Sequence, residues 1–267
     1  MADFTAKDVK ALRDATGAGM MDAKKALTET DGDYDAAIQW LRERGLGKAA
    51  ERADRESADG AVAVARAGDA AALVELKSET DFVAKSPQFV ALADKLAAAV
   101  AADGEGAIDT LKDALDDLRV TLKENIQVGQ VARLVAGEGQ VLESYLHVQN
   151  GRGVNGVLVL VDGGTEELAH DLAVHVAFGK PSVLSREQVP AEEVATERAT
   201  LEAQTRNEGK PEAAMEKIVE GKLNGWYKRV PGGVLVEQPY AKDDKLSVTQ
   251  FLGGAGVVGF AQAVIGL

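Results

Sequence analysis

Apolar positions recur at helical spacing through the first 45 residues and then give way to alternation. Thr5 with Asp8 three residues on has the form of a capping box, and Val9 and Leu12 follow on one helical face. Thr16-Gly17-Ala18-Gly19 interrupts the pattern. Met20, Ala23, Lys24 and Leu27 resume it over residues 20–30, and Asp31-Gly32-Asp33 offers Asp33 as the cap of a third helix. The stripe Ala37, Ile38 and Leu41 is expected to end at Gly45. Three helices in so short a segment stand near the lower size limit for independent folding.

Residues 46–59, rich in Ala, Lys, Arg and Asp, read as a hydrophilic linker, helical in part. Two alternating runs, Ala61-Val62-Ala63-Val64 and Leu73-Val74-Glu75-Leu76, flank Gly68-Asp69 as in a hairpin. Ser86-Pro87 opens a helix through Phe89, Leu92, Leu96 and Val100, and a further helix is predicted over residues 108–124. From Gln127 the texture is that of strands: residues 131–135, 141–148 and 157–161. A helix over 166–178 follows. Residues 190–208 and 211–227 then read as two helices joined at Asn207-Glu208-Gly209-Lys210, a hairpin whose charged faces suit projection from the body. Leu235-Val236 and the segment from Ser247 onward close the chain. Sheets and helices partly segregated along the chain define an α+β class, and no solenoid-like repeat is visible.

The formal net charge is −13, unevenly spread. Residues 1–55 carry ten Lys/Arg and eleven Asp/Glu, so they net −1 and the remainder −12. The first segment can therefore approach an acidic partner without long-range repulsion, whereas the chain as a whole repels nucleic acid. Aromatics make up 4% of residues, too few for a single-strand stacking platform. There is no cysteine, which removes disulfides, thiolate nucleophiles and Cys-based metal sites. No run of about 18 apolar residues predicts a membrane span, and the polar start, residues 1–10, lacks the apolar stretch of a secretory signal. A cytoplasmic protein with no membrane partner is expected.

Catalytic motifs fail in turn. Gly151-Arg152-Gly153-Val154-Asn155-Gly156 fits G-x-G-x-x-G, but a dinucleotide fingerprint must open a helix, and here the strand Val157-Leu158-Val159-Leu160-Val161 follows. A hairpin loop is the expectation. Gly45-Leu46-Gly47-Lys48-Ala49 hints at a phosphate loop, yet Arg42 and Ala49 occupy the places of the required Gly and Ser/Thr. His170 and His175 are five apart, about 140° around a helix, and cannot form a two-His metal face. No G-x-S-x-G elbow is present, and among 43 carboxylates any chosen pair is uninformative. The expectation is a protein that is not an enzyme and that holds neither cofactor nor metal.

Two segments decide the reading. One is Leu12-Arg13-Asp14-Ala15-Thr16-Gly17-Ala18-Gly19-Met20-Met21-Asp22-Ala23-Lys24-Lys25-Ala26-Leu27; the other is Glu75-Leu76-Lys77-Ser78-Glu79-Thr80-Asp81-Phe82-Val83-Ala84-Lys85. Both resemble signature segments of the elongation factor Ts family. So do the later stretches Lys217-Ile218-Val219-Glu220-Gly221-Lys222-Leu223-Asn224-Gly225-Trp226-Tyr227-Lys228 and Glu237-Gln238-Pro239-Tyr240, in the right order, and the resemblance spans nearly the whole chain.

The resemblance implies a guanine nucleotide exchange factor acting on the GDP-bound GTPase domain of EF-Tu. It implies a small three-helix, ubiquitin-associated-like (UBA-like) module at residues 1–55, a two-part core at 56–139 and 140–267, and a protruding helical hairpin at about 190–228. Thr80, Asp81, Phe82 and Val83 would enter the GTPase near its magnesium and nucleotide site. Leu12, Met20 and Met21 would form the contact face of the first module, and His147 a further, looser contact. His175-Val176-Ala177 resembles another recurrent segment, read as core packing near the interface. The hairpin is a candidate for self-association, for partner contact, or for both. Ala23 and Ser78 stand where members often carry Cys, and the apolar C-terminal stretch from Gly259 to Leu267 replaces a common aromatic-x-Arg strand; such a tail must be covered or paired.

Without the resemblance, Phe82 reads as a core phenylalanine under the hairpin, since aromatics are usually interior, and a Met pair beside a glycine turn reads as core filler or as an adaptable contact. The alternative function is a non-catalytic helical protein-binding module with an accessory body; a dinucleotide enzyme is a distant third.

Overall fold

A computed structural model describes residues 4–266; residues 1–3 of the polar start and Leu267 of the apolar tail lie outside the described residues. Helices α1 (Ala6–Thr16), α2 (Met20–Glu29) and α3 (Tyr34–Ala50) form a bundle. The capping box is formed: Asp8 N–H donates to the Thr5 hydroxyl, and the Asp8 carboxylate accepts from Thr5 N–H at 2.7 Å. Those bonds from Thr5 hold the Asp8 carboxyl below its ordinary range. Gly17 ends α1 at φ 65°, a left-handed conformation that glycine takes without steric cost. Val9, Leu12, Ala23, Ala26, Leu27, Ala37 and Leu41 make the core of the bundle.

Contrary to expectation, α3 does not stop at Gly45 but continues to Ala50. The reason is packing: a Cβ at Gly45 would stand 2.6 Å from Val120 Cγ1. This glycine serves a close approach between helices and is not a helix stop.

Strands β1 (Asp59–Ala67) and β2 (Ala70–Ser78) form the predicted hairpin, with Ala67 opposite Ala70 and Gly68 at φ 57° in the turn. The short helix α4 (Asp81–Ala84) follows, then α5 (Pro87–Asp103), a 3-10 segment (Glu105–Leu111) and α6 (Lys112–Leu122). The helix expected over 108–124 is thus shorter: it starts as a tight 3-10 turn and ends at Lys123, left-handed at φ 60°. Next come β3 (Gln127–Val135), β4 (Gln140–Gln149), β5 (Arg152–Asp162) and α7 (Glu166–Gly179). The helical hairpin is α8 (Ala191–Asn207) and α9 (Met215–Tyr227). The chain closes with β6 (Pro239–Tyr240), β7 (Asp243–Ser247), α10 (Val248–Leu252) and β8 (Gly256–Val264).

Two antiparallel three-stranded sheets, ordered β1-β2-β3 and β4-β5-β8, stack face to face between two helices. Ala61, Ala63, Val74 and Leu76 face α5 and its Phe89, Leu96 and Val100. Val62 and Leu73 turn the other way and meet Leu142, Leu158 and Leu160 of the second sheet. Val157, Val159 and Val161 face α7 through Leu172 and Val176. Strand β5 is therefore buried on both faces, and this is why residues 157–161 are an unbroken apolar run. The molecule is an α+β protein.

The G-x-G-x-x-G segment is only in part a hairpin loop. Asn150 and Gly151 make the turn, with Gln149 paired to Arg152, while Gly153 and Gly156 lie inside β5. A Cβ on Gly156 would stand 2.5 Å from Val62 Cγ1, and one on Gly153 would collide with the Val62 carbonyl. Both glycines permit close stacking of the two sheets. The apolar C-terminal strand is paired: β8 runs along β5 from Val264 opposite Asn155 to Gly256 opposite Asp162. Helices α8 and α9 bury Leu201, Met215, Val219, Leu223 and Tyr227 between themselves and against Val234.

Candidate functional site

The turn after β2 carries the most exposed large apolar side chain of the described residues. Phe82 is 81% exposed, on the first turn of α4. Thr80 caps that turn, its hydroxyl accepting from Val83 N–H at 3.4 Å. The cap is braced from a distance. The Glu124 carboxylate accepts from Glu79 N–H at 3.0 Å, from Thr80 N–H at 3.1 Å and from the Thr80 hydroxyl at 2.5 Å. The left-handed turn at Lys123, immediately after α6, brings Glu124 to this position.

Beneath the turn, buried Ser78 donates to the Thr80 carbonyl at 3.1 Å, and Ala84 is fully enclosed. Val83 packs against the core of the first sheet. The Glu79 side chain accepts from Asn125 N–H at 2.7 Å, and the Asn125 amide donates to the Ala53 and Arg55 carbonyls. The segment after α3 is thereby fastened to the same turn.

Asp81 pairs with Lys85 at 2.6 Å, one helical turn on. That hydrogen bond, with the charges of Lys85 and then Arg152, holds the Asp81 carboxyl below its ordinary range, so it is ionised at neutral pH. The Lys85 ammonium also lies 5.3 Å from the Phe82 ring centroid, a cation–π contact that favours one ring orientation. Arg152, next to the turn between β4 and β5, is nearly enclosed and bonds Gly60 carbonyl at 2.5 Å and Asp59 at 2.7 Å. The four residues Thr80, Asp81, Phe82 and Val83 thus form one braced element: a cap, an anion, a projecting ring and an anchor.

The other candidate residues lie elsewhere. Met20 and Met21, 45% and 74% exposed, stand at the start of α2, whose cap residue Gly19 offers no side-chain hydrogen bond. Leu12 is a correction. It is completely buried among Val9, Ala23, Leu27 and Leu41, so it supports the bundle from within and does not belong to its contact face. The i, i+3 pairing with Val9 that marked a helix face marked the inward one.

His147 is exposed near the end of β4, opposite Asn155. The Asn155 amide donates to the Ala177 carbonyl at 2.9 Å, which joins this edge to the end of α7. There Phe178, 65% exposed, projects, as does Val148 at the exposed end of β4; neither stood out in the sequence, because each closes an apolar helix or strand pattern and reads as part of it.

His175 is buried. Its Nδ1 accepts from Ala241 N–H at 3.1 Å, which leaves Nε2–H to donate to the Gln238 side-chain amide oxygen Oε1 at 3.1 Å. Burial lowers its pKa and keeps it neutral. Gln238 in turn bonds the carbonyls of Gly179, Arg229 and Gly232. This is a structural network joining α7 to the chain after α9. Among the described residues no group of three or more His, Asp or Glu is placed to hold a metal ion, and no helix is long and apolar enough to cross a membrane.

Geometry of this kind defines a class: an α+β protein that presents apolar side chains on separately supported turns. Residues 79–266 match the family model described as Elongation factor TS, which begins one residue before the Thr80 cap. The chain is similar to elongation factor Ts of Clavibacter sepedonicus, 47% identical across 100% of both chains. It is also similar to those of Kineococcus radiotolerans, 45% identical over 96% of each chain, and Saccharopolyspora erythraea, 45% identical over 100% of this chain and 99% of that one. The chain belongs to the elongation factor Ts family, and so to the elongation machinery of protein biosynthesis.

Proposed function

We propose that this protein is the guanine nucleotide exchange factor for EF-Tu, and that it loosens GDP by disturbing the magnesium and phosphate site of the GTPase. The observation that carries the mechanism is Phe82, 81% exposed on a turn held by three hydrogen bonds to Glu124. A ring kept out of the core on a rigid support loses little entropy when it enters a partner, and its apolar surface gains when it wedges between packed elements. Asp81, ionised beside it, competes for cationic and polar groups around the nucleotide.

Magnesium requires near-octahedral geometry, so a small displacement of its supports weakens it. Loss of the metal uncovers the charge of the phosphates, and GDP leaves unmodified. No covalent step falls to this chain, which therefore needs no cofactor. Each tenfold gain in release takes about 1.4 kcal/mol off the barrier. Coupling is reciprocal: nucleotide weakens the grip of the factor as much as the factor weakens that of the nucleotide, so incoming GTP ends the encounter.

In this reading residues 1–55 are a UBA-like module that holds the GTPase domain through Met20 and Met21. Residues 56–139 and 140–267 are the two parts of the core, with His147 a secondary contact, and the chain works in the cytoplasm.

The test is release of fluorescent GDP from bacterial EF-Tu, chased with unlabelled GDP. The wild-type chain is expected to accelerate release strongly, and Phe82→Ala to lose most of that acceleration while melting at an unchanged temperature. Acceleration unaffected by the substitution would sink the wedge. A folded wild-type chain with no effect would leave a helical binding module in place of an exchange factor.

A further inference from the structure

The bundle meets the layered body chiefly where α3 crosses α6. A cleft of about 470 Å³ remains between them, lined by residues of the α1–α2 turn, α3 and α6, so the helix junction itself is incompletely packed. Just beyond it the Arg52 side chain donates to the Arg119 carbonyl and the Asn125 amide to the Ala53 and Arg55 carbonyls, which ties the end of α3 to the body. Gly45 lies at its closest point. A Cβ there would stand 2.6 and 2.9 Å from the two γ carbons of Val120, and Val120 is β-branched, with little rotamer freedom in a helix. The ion pairs that flank the contact, Arg42 with Asp113 at 2.9 Å and with Asp117 at 3.6 Å, join exposed side chains; such pairs contribute little and do not impose one geometry. At the other end of the cleft Gly17 approaches Thr121, a Cβ there falling 3.8 Å from its methyl group. Met20 and Met21 start the next helix, three and four residues on.

We infer that Gly45 is a positioning residue: by letting α3 seat on α6 it fixes the offset between the Met20-Met21 face and the Phe82 turn, so that both engage one GTPase in a single encounter. The inference rests on the proposed exchange function. Two linked contacts gain affinity only when their spacing matches the target, because the second contact then forms at high effective concentration. A bundle that tilts away from α6 about the tied segment at residues 52–57 would keep both contacts and lose that gain. Gly45 also runs against local preference. Alanine is the better helix former at an interior position, so Gly45→Ala strengthens α3 taken alone, and any loss it causes comes from the contact with Val120.

Two measurements test this on the full chain. The sequence has no cysteine, so cysteines introduced for the exposed Lys24 and Lys95 take spin labels without competition. Pulsed electron resonance is expected to give one narrow distance distribution in the parent. In Gly45→Leu it should be broadened or displaced, with helix content by circular dichroism unchanged. In the GDP-release assay Gly45→Leu should raise the half-saturating factor concentration about tenfold or more while the rate at saturation stays at the parent value. Gly45→Ala should show a smaller rise. Val120→Ala should relieve it in the double variant, since the nearest remaining contact is the Val120 Cβ at 3.3 Å.

An unchanged distance distribution in Gly45→Leu overturns the inference, as does a broad one in the parent. A defect in Gly45→Ala that Val120→Ala does not relieve overturns the assigned contact. If the parent fails to release GDP, the exchange reading falls, and the distance distribution still decides whether Gly45 holds the bundle.

Discussion

Two apolar surfaces of this molecule are built on opposite terms. Phe82 rises from a four-residue helix that could not persist alone, and every neighbour of its turn is tied down: Thr80 to Glu124, Ser78 to the Thr80 carbonyl, Ala84 into the core. Met20 and Met21 open a ten-residue helix with no side-chain cap, on a bundle with a small core. The first arrangement suits a rigid probe. The second suits a contact that adapts, since Met is unbranched and polarizable. Exposure of an apolar residue therefore does not define its task; what holds the backbone under it does.

Leu12→Ala offers the largest test of this contrast. It empties a fully buried site in a small core, and a loss of about 3 kcal/mol is expected for such a truncation. Hydrogen exchange should show α1–α3 opening while the two sheets keep their protection. If the bundle keeps its protection but binding to EF-Tu is lost, Leu12 is a contact residue after all, and the burial argument fails.

Glu124→Ala comes next. It removes the acceptor of three donors, one of them the cap hydroxyl, at an expected local cost of about 2 kcal/mol. The ring of Phe82 remains, but its support is loosened. The GDP-release rate at saturating factor should drop, and the amides of Glu79 and Thr80 should exchange faster. A rate equal to wild type, with those amides exposed, would mean that rigidity under Phe82 is irrelevant.

Glu124 also shows where sequence reading stopped. The hairpin at Gly68-Asp69, the Ser86-Pro87 start and the Thr5 and Asp33 caps were legible because each is a local pattern that local chemistry enforces. Thr80 as the cap of Asp81-Phe82 was legible for the same reason. The brace was not: Glu124 lies 44 residues from Thr80, at the end of a stretch that reads as continuous helix, and only the left-handed Lys123 turns it toward its partner. Gly45 and the pair Gly153 and Gly156 misled in the same way. A glycine looks like a stop or a loop when only its neighbours in sequence are considered, whereas here each makes room for a side chain or backbone from another layer. Leu12 shows the converse limit: periodicity assigns a residue to a face, but not that face to the inside.

Met21→Ala is the smallest expected effect and the sharpest on the comparison itself. Met21 is 74% exposed, so stability should stay within about 0.5 kcal/mol of wild type. If the bundle only captures the partner, loss of this side chain raises the half-saturating factor concentration roughly threefold, about 0.7 kcal/mol, and leaves the rate at saturation untouched. That is uniform binding, lost equally from ground and transition states. Phe82→Ala should do the reverse, lowering the rate at saturation. A fall in the saturated rate on Met21→Ala would mean that the bundle pulls on the GTPase while Phe82 pries. The division between an adaptable hold and a rigid probe would then give way to two contacts that share the work of release.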